Sequence, residues 1–149
     1  MLGTSVANSR KEMIDACVTS LQSIVNGGGD AVLKYVKAAK VDPSNFEDVP
    51  FPCAFVYYRT SLRALDKSLI GNNSETWRST LVIEFVVDDD TANTVLGYID
   101  NQLNEDQFFG GYACESSLQS IEDFVVLQDA GMYDGMLLAY ELIHRNSRT

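Results

Sequence analysis

Residues 75–87, ETWRSTLVIEFVV, decide the fold, because their side chains alternate between two faces with the period of a β-strand. One face would carry Trp77, Ser79, Leu81, Ile83, Phe85 and Val87. The other face would carry Arg78, Thr80, Val82, Glu84 and Val86. We therefore predict a long strand with one face turned toward a core.

The preceding stretch, CAFVYYRT at residues 53–60, is apolar on both faces, which favours a central strand. We predict a hairpin with 75–87 across the polar tip GNNS, with residue 70 opposite 75 and therefore residue 58 opposite 87. Residues 61–79, called the arm below, would extend past the apolar part of the sheet. Because an isolated two-stranded ribbon is marginally stable, the arm needs a partner surface in its own chain or in another.

A helix is predicted over residues 9–26, whose apolar side chains follow the spacing of one helical face. Ser9 followed by Glu12 has the pattern of a capping box, and the glycines at 27–29 favour a helix end. Residues 31–41 allow two interpretations: Leu33, Tyr35 and the valines favour a strand, whereas the alanines favour a short helix. We prefer the strand. Three prolines then stiffen the connection DPSNFEDVPFP.

A second helix is predicted to end at about Glu105. The prediction rests on the helical spacing of the apolar residues Ala92, Val95, Leu96, Ile99 and Leu103. The acidic run at 88–90 is interpreted as capping of this helix, since carboxylates complement N-terminal amides. A calcium loop is disfavoured, because an EF-hand counted from residue 88 needs glycine and glutamate where Asn93 and Ile99 stand.

Two last strands are predicted at 118–128 and 135–145, joined by a turn over DAGMYD. Together these elements predict an α+β fold, in which an antiparallel or mixed sheet of four to five strands with a long hairpin packs against two main helices. The predicted order is α-(β)-β-β-α-β-β, in a single domain that spans residues 1–149.

Composition excludes several classes of function. A net charge of −10, from 11 basic and 21 acidic residues, opposes binding to nucleic acid and to anionic membranes. No apolar run reaches the roughly 18 residues of a membrane span, so we expect a soluble protein, cytosolic when made, with no membrane partner. Cys17, Cys53 and Cys114 lack close spacing, and we expect reduced thiols and no metal site.

We predict no catalytic residue and no cofactor. A serine or cysteine nucleophile needs a histidine within reach, and the single His144 lies near the end of the last predicted strand. The adjacent carboxylates Glu122 and Asp123 would point to opposite faces of their strand. Aromatic residues in the strands are interpreted as core, because a nucleic-acid stacking platform comes with basic residues around it. We expect a protein that binds or assembles, and not an enzyme.

The sequence resembles bacteriophage tail terminator proteins, also called tail completion proteins, the group that includes the lambda-like minor tail protein U. The resemblance rests on an amphipathic helix (SRKEMIDACVTSLQSIV), a proline-marked strand (VPFPCAFVYY), a long hairpin (GNNSETWRSTLVIEFVV), a helix (DDDTANTVLGYIDNQL) and a closing strand pair (FVVLQDAGMYDGMLLAYELIH). It spans residues 9–146 and lies in the order of elements, without an invariant motif.

This resemblance implies a ring, typically a hexamer, that caps the tail tube, stops its elongation and presents the surface for head joining. The implied partners are further copies of the chain, the tail tube protein and a neck or connector protein, with DNA only passing through an acidic lumen. The implied location is the head-proximal end of the tail in the virion, and the host cytoplasm during assembly. In the arm, Asn72, Asn73, Glu75 and Trp77 would contact a neighbouring subunit or the tube. Packing of Trp77 under its own hairpin is an equal alternative.

Three other functions remain open from the sequence. The first is a head-tail connector or neck protein on the portal side, which would also form a ring. The second is an adaptor domain that adds a strand to a peptide partner at an open sheet edge. The third is a small enzyme, which the chemistry above disfavours.

Overall fold

A computed structural model describes residues 5–40, 49–64, 74–128 and 131–147. Its elements are α1 (Val6–Gln22), β1 (Tyr35–Lys37), β2 (Cys53–Ala64), β3 (Ser74–Val87), α2 (Ala92–Glu105), β4 (Glu115–Gln128) and β5 (Gly131–Ser147). The predicted α+β order is confirmed. The segment that allowed two interpretations contains the short strand β1, as preferred.

One mixed sheet contains all five of these strands, in the order β1-β2-β3-β5-β4. β1 is parallel to β2, and every other neighbouring pair is antiparallel. β3 is central, since it pairs with β2 on one side and, from Ser74 to Val87, with β5 on the other. β4 therefore lies at one edge of the sheet, and β1 with the outer part of β2 at the opposite edge.

The predicted register of the β2–β3 hairpin is wrong. Tyr58 lies opposite Leu81, and Val87 lies opposite Asp134 of β5. The predicted register would have set residues 53–57 against 88–92, the acidic run and its neighbours. The observed register instead sets the apolar run from Cys53 against the apolar half of β3, with one irregularity between Tyr58 and Thr60. Burial of apolar side chains, rather than the position of the polar tip, fixes this pairing.

The predicted limits of the first helix are also wrong. α1 begins after Ser5, whose side chain accepts a hydrogen bond from the backbone N–H of Asn8 at 3.2 Å. Ser9 lies within the helix and is buried, so it does not form a capping box. The helix ends at Gln22, and the glycines at 27–29 instead lie in the turn between Val25 and Ala31, which form an isolated antiparallel bridge.

Both helices cover the same face of the sheet, called the helix side below. Apolar residues of α1 and α2 pack there against alternate residues of the strands, and the fully buried members include Met13, Leu21, Leu81, Ile83, Phe85, Ile99, Leu138 and Leu142. The opposite face carries a smaller cluster around Cys53, Phe55 and Val86. On that face the ring of Phe51 stacks on Tyr133, with centroids 4.7 Å apart.

The acidic run lies before α2 and does not supply its N-cap: the N-cap residue is Thr91, which makes no side-chain cap hydrogen bond, and the first turn contains no acidic residue. Oδ1 of Asp89 accepts a hydrogen bond from the backbone N–H of Thr91, the N-cap residue, at 3.0 Å. Farther along the chain, the final strands are longer than predicted: β4 begins at Glu115, and β5 already includes residues 131–134 of the predicted turn.

Candidate functional site

The sequence predicted that the arm is a two-stranded ribbon. In the described part of the arm, the structure shows three paired strands instead. The C-terminal end of β5 pairs along its β3 half, from Ser79 opposite Leu142 to Ser74 opposite Ser147. The partner surface that the arm needs is therefore supplied, at least in part, by a third strand of the same chain. Of the four predicted contact residues, Asn72 and Asn73 lie outside the described residues, and Glu75 and Trp77 lie within β3.

The side chain of Glu75 contacts both Trp77 and Arg63 in the described part of the arm. Its Oε2 accepts a hydrogen bond from Nε1 of Trp77 at 3.0 Å. Its Oε1 lies 3.6 Å from Nη1 of Arg63 on β2, whose side chain is about half exposed. Trp77 is half-buried on the helix side, opposite Arg63 and His144 in the two flanking strands. The structure thus brings Glu75 and Trp77 together with Arg63, which the sequence did not single out.

Beneath the arm runs a chain of hydrogen-bonded side chains, called the polar chain below, formed by Ser61, Ser79, His144, Asn146 and Ser9. The Oγ atoms of Ser61 and Ser79 lie 2.7 Å apart, and Oγ of Ser79 lies 2.8 Å from Nε2 of His144. Nδ1 of His144 lies 2.5 Å from Oδ1 of Asn146, whose Nδ2 donates to Oγ of Ser9 in α1. The polar chain therefore joins β2, β3, β5 and α1.

Geometry assigns the protons along the polar chain. Because the Asn146 amide nitrogen faces Ser9, its oxygen faces His144, and an amide oxygen can only accept. Nδ1 of His144 therefore carries the proton, and Nε2 accepts from Ser79. Burial lowers the pKa of His144 from its ordinary value of 6.5; the hydrogen bond to Asn146 opposes this shift, and the charge of Arg10 adds to it. The ring is neutral at pH 7.

Ser79, His144 and Asn146 have the connectivity of a nucleophile, its base and an orienting amide. Ser79 and His144 have no exposed surface, however, and Asn146 is 1% exposed. A substrate carbonyl would have to approach within about 3 Å of the Ser79 oxygen, which burial on the helix side prevents. The arrangement therefore satisfies the hydrogen bonds of buried polar groups where the paired strands β3 and β5 pack against α1.

A second surface suited to binding lies along β4 and the start of β5. Four large apolar side chains are exposed there, called the apolar row below: Ile121, Val125, Leu127 and Met132. Ile121 lies opposite the fully buried Leu138, so the apolar row is on the helix side. Farther out Leu127, opposite Met132, is 78% exposed. The apolar row thus follows the edge strand β4 on the helix side and includes Met132 of the neighbouring strand β5.

Charge is distributed unevenly over the sheet. Residues 79–143 contain thirteen acidic residues and no lysine or arginine. That stretch includes β4, α2 and most of β5. Near the opposite edge, on or beside β1 and β2, lie the basic residues Lys34, Lys37, Lys40, Arg59 and Arg63. The two edges of the sheet therefore differ in sign.

The three cysteines are free thiols. Cys17 and Cys53 are buried, whereas Cys114 is exposed. Burial raises the pKa of Cys53 to about 11 and also raises the pKa of Cys17, so neither forms a reactive thiolate at neutral pH. In the part of the chain that the structure describes, no group of three or more His, Cys, Asp or Glu side chains is placed to hold a metal ion. Neither α1 nor α2 is both long and apolar enough to cross a membrane.

No protein-family model matches the sequence, and no curated protein matches it either. Among solved structures, a chain from the virion of a native gene transfer agent particle is similar, with a TM-score of 0.41 and 9% sequence identity. The match covers 94% of this chain and 95% of that chain. A similarity of this size does not decide a function, so the function is argued from the residues.

Proposed function

We propose that this protein is a structural component of a phage-like virion. In this proposal it forms a ring, of six copies by its resemblance to tail terminators, that caps the tail tube and stops tube elongation. The ring then provides the surface to which the head joins. The protein acts through assembly and not through catalysis.

The observation that carries this proposal is the exposed apolar row on the edge strand β4. A long edge strand with large exposed apolar side chains is a surface that soluble proteins normally cover or interrupt with charge and proline. Leu127 and Met132, at 78% and 67% exposure, are left uncovered within the described chain. Association with further copies or with other virion proteins would remove this surface from water.

Two further features are consistent with the ring. In this proposal Glu75, Trp77 and Arg63, which lie on adjacent strands of the arm, contact the tube or a neck protein. A net charge of −10 on each copy would also keep DNA phosphate from adhering to the lumen while the DNA passes through. The proposed location is therefore the head-proximal end of the tail, after assembly in the host cytoplasm.

Electron microscopy of particles assembled without this protein tests the proposal. Loss of the cap should produce tubes of excess and variable length beside heads that have not joined. A control that supplies the wild-type protein in trans should restore uniform tails. The second candidate, a neck protein on the portal side, predicts tails of normal length beside unjoined heads. Intact virions would contradict both.

A further inference from the structure

The two edges of the sheet have complementary charge, and no further described strand pairs with the outer side of β4 or with the outer part of β2. The acidic edge is β4 with the start of β5, and its exposed carboxylates are Glu115, Glu122, Asp123 and Asp134. The basic edge is the outer side of β1 and β2, where Lys37, Lys40, Arg59 and Arg63 are exposed. Among the described strands, β1 pairs with β2 only from Cys53 to Phe55, so none pairs with the outer side of β2 beyond that point.

Among the described residues, Arg63 is the only one of these edge residues that has an ion-pair partner. The ion pairs between described residues are Lys11–Asp15, within α1, and Arg63–Glu75, within the arm, at 2.8 and 3.6 Å. No described basic residue lies within ion-pair distance of Glu122 or Asp123. Within the described chain, the carboxylates of the acidic edge and the guanidinium of Arg59 therefore have no ion-pair partner.

Strand directions allow the two edges to pair. From β2 to β3, β5 and β4 each step is antiparallel, so β4 runs antiparallel to β2. A second copy placed beside the first in the same orientation would set its β2 antiparallel to β4 and extend the sheet. The helix sides of the two copies would then form one continuous face of the extended sheet. Asp123, opposite Met136, and Arg63, opposite Trp77, both point to that side.

We propose that the acidic edge of one copy binds the basic edge of the next, with the outer part of β2 added alongside β4. Main-chain hydrogen bonds supply the pairing, the charges select the register, and the apolar row is covered by the neighbouring copy. Because the two surfaces differ, the contact is heterologous and repeats from copy to copy. Its closure into a ring rests on the proposed function, whereas the contact itself does not.

The charges also disfavour the symmetric alternative. If β4 paired with β4 of another copy, the carboxylates of Glu122 and Asp123 would face those of the partner strand. Like charges set opposite each other across a pair of strands are destabilising. Opposite charges meet only when β4 faces the basic edge.

Charge reversal tests the contact. In one variant Glu122→Lys and Asp123→Lys reverse the acidic edge, and in a second Arg59→Glu and Arg63→Glu reverse the basic edge. A control matched to the first variant, Asp90→Lys with Glu105→Lys, makes the same change in charge at two exposed positions, one before α2 and one at its last residue. Circular dichroism establishes that each variant is folded, and sedimentation velocity at low salt measures its association.

The wild-type chain should associate, and each edge variant should associate at least about 100-fold more weakly, because like charges then meet at the contact. The α2 control should retain wild-type association. An equimolar mixture of the two edge variants should regain assemblies of wild-type size, with the two chains in equal numbers. The variant with all four changes should regain them alone. High salt should weaken the wild-type assembly, since about 1 M salt shortens the screening length to about 3 Å.

Several results would overturn the proposal. These are a wild-type chain that stays monomeric at its highest soluble concentration, edge variants that associate like wild type, or a mixture that yields only two-chain complexes. The last result would indicate symmetric β4 pairing. Failure of the proposed function is a separate outcome. Normal tails without the protein, together with edges that pair, would contradict the tail cap and leave the contact. Overlong tails without the protein, together with edge variants that assemble normally, would contradict the contact and leave the tail cap.

Discussion

Oγ of Ser79 lies 2.8 Å from Nε2 of His144, although the two residues are not directly opposite in the sheet. Ser79 faces Leu142 and His144 faces Trp77, so the hydrogen bond runs diagonally between β3 and β5. Through Asn146 the same polar chain reaches Ser9 in α1. The base of the arm is thus fixed to the helix layer by polar contacts in addition to the sheet.

Replacement of His144 should cost much more stability than replacement of a residue at the end of the polar chain. His144→Leu leaves the Asn146 side-chain oxygen without its partner and removes one of the two hydrogen bonds of the Ser79 hydroxyl, which should lower the free energy of unfolding by about 2–4 kcal/mol. Ser61→Ala, at the half-buried end, should cost about 1 kcal/mol or less. Urea denaturation followed by circular dichroism measures both. Equal costs would contradict a cooperative role for the polar chain.

Stability should depend on pH through the same residue. The folded pKa of His144 is lowered from 6.5. Between the folded pKa and 6.5 the unfolded chain binds a proton that the folded chain does not, so the unfolding free energy rises with pH there, by at most about 1.4 kcal/mol per pH unit. The contribution is complete above about pH 6.5 and is lost as the pH falls through this window. Since His144 is the single histidine, His144→Gln should remove this slope. Parallel curves for the two proteins would show that another group is responsible.

Two glycines should respond in opposite directions to the same substitution. A Cβ on Gly135 would lie 2.4 Å from the ring of Phe124, which sits opposite it on β4. Gly135→Ala should therefore lower stability by about 1–3 kcal/mol as the ring shifts. Gly97 lies inside α2 with no other atom within 4 Å of a Cβ, so Gly97→Ala should raise stability by about 0.5–1 kcal/mol. Thermal denaturation compares the two, and a loss at both positions would contradict the helix-propensity argument.

The sequence predicted those features of the fold that depend on local alternation and periodicity. The division of β3 into two faces is confirmed, since Leu81, Ile83 and Phe85 pack in the helix-side core, whereas Val86 packs in the cluster on the opposite face. The register was not predictable from the tip GNNS, because it depends on which apolar residues of β2 can be buried against β3. Pairing of β5 with the whole of β3 is also a nonlocal contact, and it changed the arm from a ribbon into part of a three-stranded sheet.

The polar chain was the largest omission among the buried residues. Alternation places Ser79 on the core face, but its partner His144 and the last member of the polar chain, Ser9, are 65 and 70 positions away along the chain. A serine on an apolar strand face and a serine within an amphipathic helix were the available signals, and only the fold brings them together. The charge asymmetry, in contrast, was present in the sequence as a stretch from 79 to 143 without lysine or arginine. Its meaning depends on the strand order, which separates that stretch from the basic edge.

Glu75 provides the most direct test of the arm as a contact surface. Glu75→Gln keeps an oxygen that can accept from Nε1 of Trp77 but removes the charge beside Arg63. Because that ion pair is partly exposed, stability should change by less than about 1 kcal/mol. If the arm binds the tube or a neighbouring subunit, particles completed with this variant should fall by about tenfold, as expected for a polar contact residue near the centre of an interface. Complementation of particles that lack the protein, scored by tail length and head joining, measures the effect, with Glu105→Gln on α2 as a control. Full complementation by a stable Glu75→Gln variant would assign the residue to the internal structure of the arm and leave the apolar row as the contact that supports assembly.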